Sequence, residues 1–136
     1  MNEDTNSIIR AFLVLQATLT DIVGIRIFCP RLPENTALPA LGFFTRGGSS
    51  SPYIPGIVSP SVQFDCWGET PQAARQVYRA LYDALQGIQN QTVSVDGSDY
   101  SILGAREEVQ GQDLQDVDIP NYFRVLTSFE VMICAE

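Results

Sequence analysis

Hydrophobic residues follow helical spacing in two segments of this chain. Between positions 4 and 22 they recur three and four residues apart, which predicts one amphipathic N-terminal helix. A second helix is predicted from 70 to 86, with Thr70 as its N-cap, Pro71 at its first position and Gly87 after its end. Its apolar stripe lies opposite a polar one, so we expect it to pack on a sheet.

Apolar and polar residues alternate in the segments that predict strands. The clearest are Ser61–Trp67, with Val62, Phe64 and Cys66 on one face, and the closing strand Phe123–Ile133. Other predicted strands are Ile25–Cys29, Ala40–Arg46, and a hairpin formed by 92–95 and 100–103 around the turn pair Asp96-Gly97.

Two segments are predicted to lack regular structure. Gly47–Pro60 is rich in glycine, serine and proline and is expected to be a long loop. Glu107–Asn121 carries carboxylates without a basic residue, so we expect a solvated loop or an excursion at the edge of a strand.

The predicted order is helix, strand, strand, loop, strand, helix, hairpin and long strand. This order favours an α+β fold, with two helices packed on one face of a mainly antiparallel sheet. A chain of 136 residues has the usual length of one domain, so residues 1–136 are predicted to form a single domain.

The Gly47–Pro60 segment contains large apolar residues that a simple linker does not need. Two interpretations stay open: the segment packs against a neighbouring subunit, or it folds back on its own domain. The residues predicted to carry a subunit contact are Tyr53, Ile54, Pro55, Ile57 and Val58.

Three residues elsewhere are candidates for the same contact. Trp67 is either an interface anchor or a partly buried core residue. Arg75 and Arg79 lie one helical turn apart and suit an acidic neighbour, although Arg79 with Asp83 is equally an ordinary pair within a helix.

The sequence contains few of the groups that enzymes use. It has no histidine and no glycine-rich phosphate loop. Asp113, Asp116 and Asp118 lack the spacing of a calcium loop, and no acid pair is placed against a sugar-sized cleft. We therefore predict no catalytic residue, no metal site and no cofactor.

The three cysteines Cys29, Cys66 and Cys134 are predicted to be buried, reduced thiols, because each lies in or beside a strand-like apolar run. The formal net charge is −8 and all eight basic residues are arginine, so any contact with DNA is expected to be weak. No apolar run reaches membrane-spanning length and the acidic N-terminus is unlike a signal peptide, which predicts a cytoplasmic protein without membrane contact.

The segment Val62–Ala74, reading VQFDCWGETPQAA, resembles the tail-terminator and tail-completion proteins of tailed bacteriophages. In that family a strand with valine, aspartate and an aromatic residue runs through a short turn into an alanine-rich helix. The resemblance extends to the N-terminal helix, the strand that follows it and the closing strand. It covers most of the chain.

The resemblance implies a structural role without enzymatic activity or cofactor. Such proteins form a ring, commonly hexameric, that caps the tail tube and joins tail to head. The implied partners are further copies of the chain, the tail tube protein and the neck or connector proteins. The implied location is the virion tail or neck, after assembly in the host cytoplasm.

An acidic, lysine-free ring would repel a DNA duplex in its lumen, so lumen-facing side chains are expected to be acidic or neutral. Two alternative functions stay open. One is a head-completion or minor tail protein, and the other is a non-viral small-ligand-binding or adaptor domain of α+β fold.

Overall fold

The computed structural model describes residues 4–29, 37–50, 53, 56–115 and 122–134. Three helices and six strands lie within these ranges. They are α1 Thr5–Leu13, α2 Ala17–Val23, β1 Ile27–Phe28, β2 Ala40–Ser50, β3 Ile57–Gly68, α3 Pro71–Leu85, β4 Gln89–Val95, β5 Ser98–Gln115 and β6 Phe123–Cys134.

The six strands form one sheet in the order β1-β2-β3-β6-β5-β4. Only the contact of β1 with β2 is parallel, and all other neighbours run antiparallel. This arrangement confirms the predicted α+β class with a mainly antiparallel sheet.

The core lies between the helices and one face of the sheet, with β3 and β6 at the centre. The inward positions of β3 are fully buried, as the alternation in the sequence predicts. Phe64 contacts Phe43 and Phe129, with ring centroids 5.7 and 5.8 Å apart. Burying one such side chain contributes about 1.5–3 kcal/mol, so this aromatic cluster anchors three adjacent strands.

The junction between β3 and α3 follows the sequence prediction closely. Thr70 Oγ1 accepts a hydrogen bond from the Ala73 amide at 3.1 Å, and Pro71 occupies the first turn. A Cβ on Gly68 would lie 2.4 Å from the Ala74 nitrogen, so the strand can approach the helix only because this residue has no side chain.

The single N-terminal helix predicted over positions 4–22 is wrong, because the chain breaks into α1 and α2, bent by 87°. Gln16 is extended at the break. The bend turns Phe12 from α1 and Leu19 from α2 into the same core, and it leaves Leu15 at the corner 68% exposed. Among the described residues no single helix is long and apolar enough to cross a membrane, and α1 with α2 reaches that length only as a bent pair.

Helix α1 contacts elements at both ends of the sheet. Arg10 Nε donates to the Ile27 carbonyl at 3.1 Å on β1, and the Thr45 hydroxyl of β2 donates to Asn6 Oδ1. The same helix packs against β4, which is the last strand on the other side. The sheet therefore curls around α1.

The first predicted strand, Ile25–Cys29, is shorter in the structure. Only Ile27 and Phe28 pair with β2. Ile25 belongs to the turn after α2 and is 82% exposed, because Gly24 has a φ of 60° and redirects the chain there.

The prediction that Gly47–Pro60 is a loop is wrong at both ends. Strand β2 continues from the predicted end at Arg46 to Ser50, and β3 begins at Ile57. The register pairs Gly48 with Pro60 and Ser50 with Val58, so a hairpin replaces most of the expected loop.

The acidic segment 107–121 is also more regular than predicted. Strand β5 runs through it as far as Gln115 and pairs with β6, with register shifts between Glu107 and Gln112. Asp116 and Asp118 lie outside the described residues. The carboxylates of the described part have partners on α3, β3 and β6, and these contacts were not visible in the sequence.

Replacing Gly68 with alanine should lower the free energy of unfolding by at least about 1–3 kcal/mol, because the new methyl group meets the backbone of α3. Gly104→Ala is the matched control, since its Cβ would lie 3.5 Å from the nearest atom, the Ile88 carbonyl oxygen. Urea denaturation of both variants measures the difference, and equal midpoints would contradict the tight junction.

Candidate assembly interface

The hairpin of β2 and β3 extends beyond β1, and we call its described residues 47–50, 53 and 56–58 the arm. Strand β1 pairs only with Leu41 and Gly42, so the outer side of β2 has no neighbouring strand further along among the described residues. Residues 46–50 are all exposed. The arm is thus held to the sheet from one side.

Two glycines shape the base of this arm. Gly47 and Gly48 have φ values of 113° and 128°, and the register between β2 and β3 shifts between Thr45 and Gly48. A Cβ on Gly48 would lie 2.3 Å from the Ser59 carbonyl oxygen. This bulge needs glycine for both its backbone angles and its close approach.

The predicted contact residues of the arm occupy different positions. Tyr53 is 92% exposed. Val58 packs partly against the core, while Ile57 is half-buried opposite Cys134. Ile54 and Pro55 lie outside the described residues. The arm therefore combines a base packed on its own domain with an exposed aromatic side chain.

The sheet face opposite the helices, here called the open face, carries a ladder of charged and polar contacts. Arg106 Nη2 lies 3.0 Å from Glu130 Oε2, and Arg124 Nη1 lies 3.6 Å from Asp65 Oδ1. Arg46 Nη1 donates to Ser128 Oγ at 2.9 Å. These contacts cross four neighbouring strands, so the face is polar at its centre and is not a second hydrophobic core.

Trp67 lies on the open face at the end of β3. The Arg124 guanidinium lies 5.4 Å from the centroid of its ring, and Tyr122 contacts it edge to face at 6.1 Å. The side chain is only half-buried. Trp67 is therefore a partly buried residue at the rim of the open face, and its role as an interface anchor stays a prediction.

The carboxyl group of Asp65 lies partly buried among these contacts. Burial raises its pKa above the ordinary value, while Arg124 and the Gln63 side chain lower it. Its Oδ1 atom has no hydrogen bond within the described part of the chain. The 3.6 Å contact with Arg124 offsets only part of the cost of burying this carboxylate.

On the helix side, a polar cluster links α3 to β5 and β6. The Tyr78 hydroxyl donates to Glu107 Oε2 at 2.7 Å and accepts from the Gly111 amide at 3.2 Å. The Thr127 hydroxyl lies 2.7 Å from the same carboxylate oxygen and 2.8 Å from the Val109 carbonyl. Burial and the Glu107 carboxylate raise the pKa of Tyr78 to about 12. The cluster fixes the helix on the sheet.

Arg75 is held within its own chain. Its Nε atom lies 2.8 Å from Asp113 Oδ1, and its guanidinium lies 5.3 Å from the centre of the Tyr78 ring. Arg79 is exposed beside Tyr82, and it forms no ion pair with Asp83 among the described residues. The structure therefore separates the two arginines: Arg75 joins α3 to β5, and Arg79 faces outward.

Two of the three cysteines are less buried than predicted. Cys66 is buried as predicted, but Cys29 is exposed because it lies at the end of the short strand β1. Cys134 is half-buried at the end of β6. Burial and, to a lesser extent, the Asp65 carboxylate raise the pKa of Cys66. Partial burial and the Asp4 carboxylate raise the pKa of Cys29. A raised pKa favours the unreactive thiol form.

No cluster of three metal-ligating side chains occurs within the described ranges. The titratable groups that do meet are engaged in structural contacts: Tyr78 with Glu107, Arg75 with Asp113, and Arg106 with Glu130. The arrangement suits packing and surface recognition.

Sequence reasoning missed the open-face ladder and the cluster around Glu107. The first had a signal, because Arg124, Leu126, Ser128, Glu130 and Met132 form the mixed outer side of an alternating strand. The cluster around Glu107 could be predicted only if the acidic segment was recognised as a strand, and the local sequence shows no strand pattern there.

Comparison with known proteins gives a likeness in structure. Neither a protein-family model nor a curated protein matches this sequence. A chain from the solved virion of a native gene transfer agent (GTA) particle is similar in structure, with a TM-score of 0.61 and 15% sequence identity. The alignment covers 98% of each chain, so the two chains share the same fold from end to end.

Tyr78→Phe should lower the free energy of unfolding by about 1–3 kcal/mol near neutral pH, because it removes a hydrogen bond to a carboxylate and leaves the Gly111 amide without its acceptor. Tyr82→Phe is the control on the same helix. Chemical denaturation of the three proteins gives the comparison.

Wild type and Tyr78→Phe should also differ in how their stability depends on pH. The folded-state pKa of Tyr78, about 12, lies above the ordinary tyrosine value of 10.0, so the stabilisation by its hydrogen bond is complete below pH 10 and is lost as pH rises towards 12. The stability difference between wild type and Tyr78→Phe should therefore shrink over that interval. A constant difference would contradict the assigned hydrogen bond.

Proposed function

We propose that this chain is a non-enzymatic structural subunit of a phage-like particle, and that it forms a ring that ends the tail tube and joins tail to head. The fold likeness to a chain of the gene transfer agent virion, extending over 98% of both chains, is the observation that carries this proposal.

The narrower role of tail terminator draws its support from the sequence signature Val62–Ala74. In the fold this segment is the end of β3, the turn and the first residues of α3. The tight approach at Gly68 and the Thr70 cap give a physical reason for that order of residues. The signature thus describes a rigid junction between sheet and helix.

A ring subunit needs two different surfaces, one for each neighbour. The arm supplies one candidate, because it extends beyond β1 and carries an exposed tyrosine. Aromatic residues of this kind are enriched at the centres of protein interfaces. Trp67 on the open face and Arg79 on α3 remain further candidates for contacts with neck or tube proteins. Arg75, one helical turn before Arg79, is a candidate only together with its partner Asp113.

The distribution of charge supports a ring lumen that attracts DNA only weakly. On the open face Arg46, Arg106 and Arg124 lie among Asp65, Asp99, Glu108 and Glu130, so three arginines offset most of the charge of four carboxylates. The remaining described surface has an excess of carboxylates. We infer that the helix side and its flanking turns face the lumen, and an arginine-lined bore would contradict this orientation.

The same fold likeness also supports a head-completion or minor tail role. The test must therefore show where on the particle the protein binds. Purified protein is mixed with tail tubes that lack their terminator, and electron microscopy records where density is added. We expect a ring at one end of each tube. Density only on capsid portals would favour head completion, and no binding to any particle would contradict the proposal.

Tyr53→Ala, alone and with Ile54→Ala, should reduce ring formation on tube ends at least tenfold, because it removes the exposed aromatic side chain of the arm. Tyr82→Ala, a comparable loss on α3, is the matched control. Thermal unfolding verifies that the variants stay folded. Unchanged capping by folded Tyr53→Ala would remove the arm from the interface.

A further inference from the structure

The two longest stretches of the sequence without a charged residue are 47–64 and 84–95. The first begins with the arm, and the second contains β4. In the strand order, β4 forms one edge of the sheet, while β2 lies at the other side, where β1 covers only a small part of it. The chain therefore has an uncharged edge on each side.

The β4 edge lacks two common protections of an exposed strand, charged side chains and proline, although helix α1 packs against the same strand. Natural sheets discourage pairing at their edges with charged side chains, prolines or bulges. Strand β4 has no charged residue and no proline, and it carries mostly exposed polar side chains. Asn90 has a φ of 51°, so the regular part of the edge is Gln91–Val95.

The turn at Asp96-Gly97 determines which backbone groups of β4 point outward. Both turn residues have positive φ, and Val95 pairs with Ser98 across a two-residue connection. In such a hairpin the flanking residues form a hydrogen-bonded pair, and these pairs alternate along the ladder. Thr92 and Ser94 therefore direct their N–H and C=O groups away from β5. Within the described ranges no strand pairs with that side.

The arm offers a complementary edge. Helix α1 reaches β2 at Thr45 and β1 ends its pairing at Gly42, so the outer side of Gly47–Ser50 is open among the described residues. These residues carry no charge and are exposed. Beyond the bulge, Gly48–Ser50 pair with β3 on one side and are open on the other, which makes this short segment a template for strand addition.

The charge of the chain favours these two edges as the meeting point between copies. Each copy has a formal net charge of −8, so most contacts between two copies bring carboxylates together. The arm and β4 carry no charge, so a contact between them would avoid this cost. We propose that the outer edge of the arm, Gly48–Ser50, of one copy adds as a strand to Gln91–Val95 of the next copy.

This pairing is head to tail, because the two partners are different surfaces at opposite sides of one sheet. A heterologous contact of this kind repeats from copy to copy and produces a closed ring when the rotation between neighbours closes. The inference rests on the proposed function for the need to associate, and it adds the acceptor surface that such a ring requires.

Thr92→Pro tests the acceptor edge. Proline removes an outward N–H but spares the bonds between β4 and β5, and Thr92→Ala is the matched control that retains the N–H. We expect at least a tenfold loss of ring assembly for Thr92→Pro, measured by light scattering and by capping of tail tubes. Thr92→Ala should assemble like wild type, and circular dichroism verifies folding.

Cross-linking gives a second measurement that does not depend on the proline variant. In a Cys29→Ser background, Ser49→Cys and Thr92→Cys are made as separate proteins and treated with a short bismaleimide after assembly. We expect covalent dimers only when the two proteins are mixed, since head-to-tail pairing places position 49 beside position 92. The Cys29→Ser parent is the blank.

The outcomes separate the two proposals. If rings cap tail tubes but the mixture gives no cross-link and Thr92→Pro assembles normally, the pairing of arm and β4 is wrong and the proposed function stands. If mixed proteins cross-link in particles that never bind tubes, the pairing stands and the tail role is wrong. A wild-type chain that stays monomeric with and without tubes would overturn both.

Discussion

The fold depends on burying one face of the central strands β3 and β6. Phe64 and Phe129 meet edge to face on that side, and α3 covers them. Because side chains alternate, burying this face sends every second residue to the other side of the sheet. The open face, with its ladder of arginines and carboxylates, is thus the direct counterpart of the core, and a shift of one residue in either strand would exchange the two.

The same alternation explains which elements the sequence predicted well. Strands β3 and β6 show it over their central residues, and Thr70 with Pro71 marks the start of α3 through local chemistry. The break between α1 and α2 was missed because the apolar spacing continues across it and neither glycine nor proline interrupts it. Only packing against the core decides that Leu19 must turn inward there.

The remaining errors share a physical cause. Glycine, serine and proline at 47–60 indicate a loop locally, yet pairing of Ser50 with Val58 makes that segment a hairpin. The acidic stretch after Glu107 likewise became a strand, because its carboxylates meet partners distant in sequence, including Arg75 and Thr127. The sequence left open whether Tyr53 packs on its own domain, and it gave no sign that Asp113 engages Arg75.

Helix α1, although only nine residues long, connects the two margins of the sheet. It bonds to β1 through Arg10, meets β2 through Asn6 and packs on β4, so it touches strands that are far apart in the order of the sheet. Local opening of this helix would release both margins of the sheet together. Helix α1 thereby joins the two margins of the sheet into one cooperative unit. The backbone amides of both margins should exchange with solvent at a common rate.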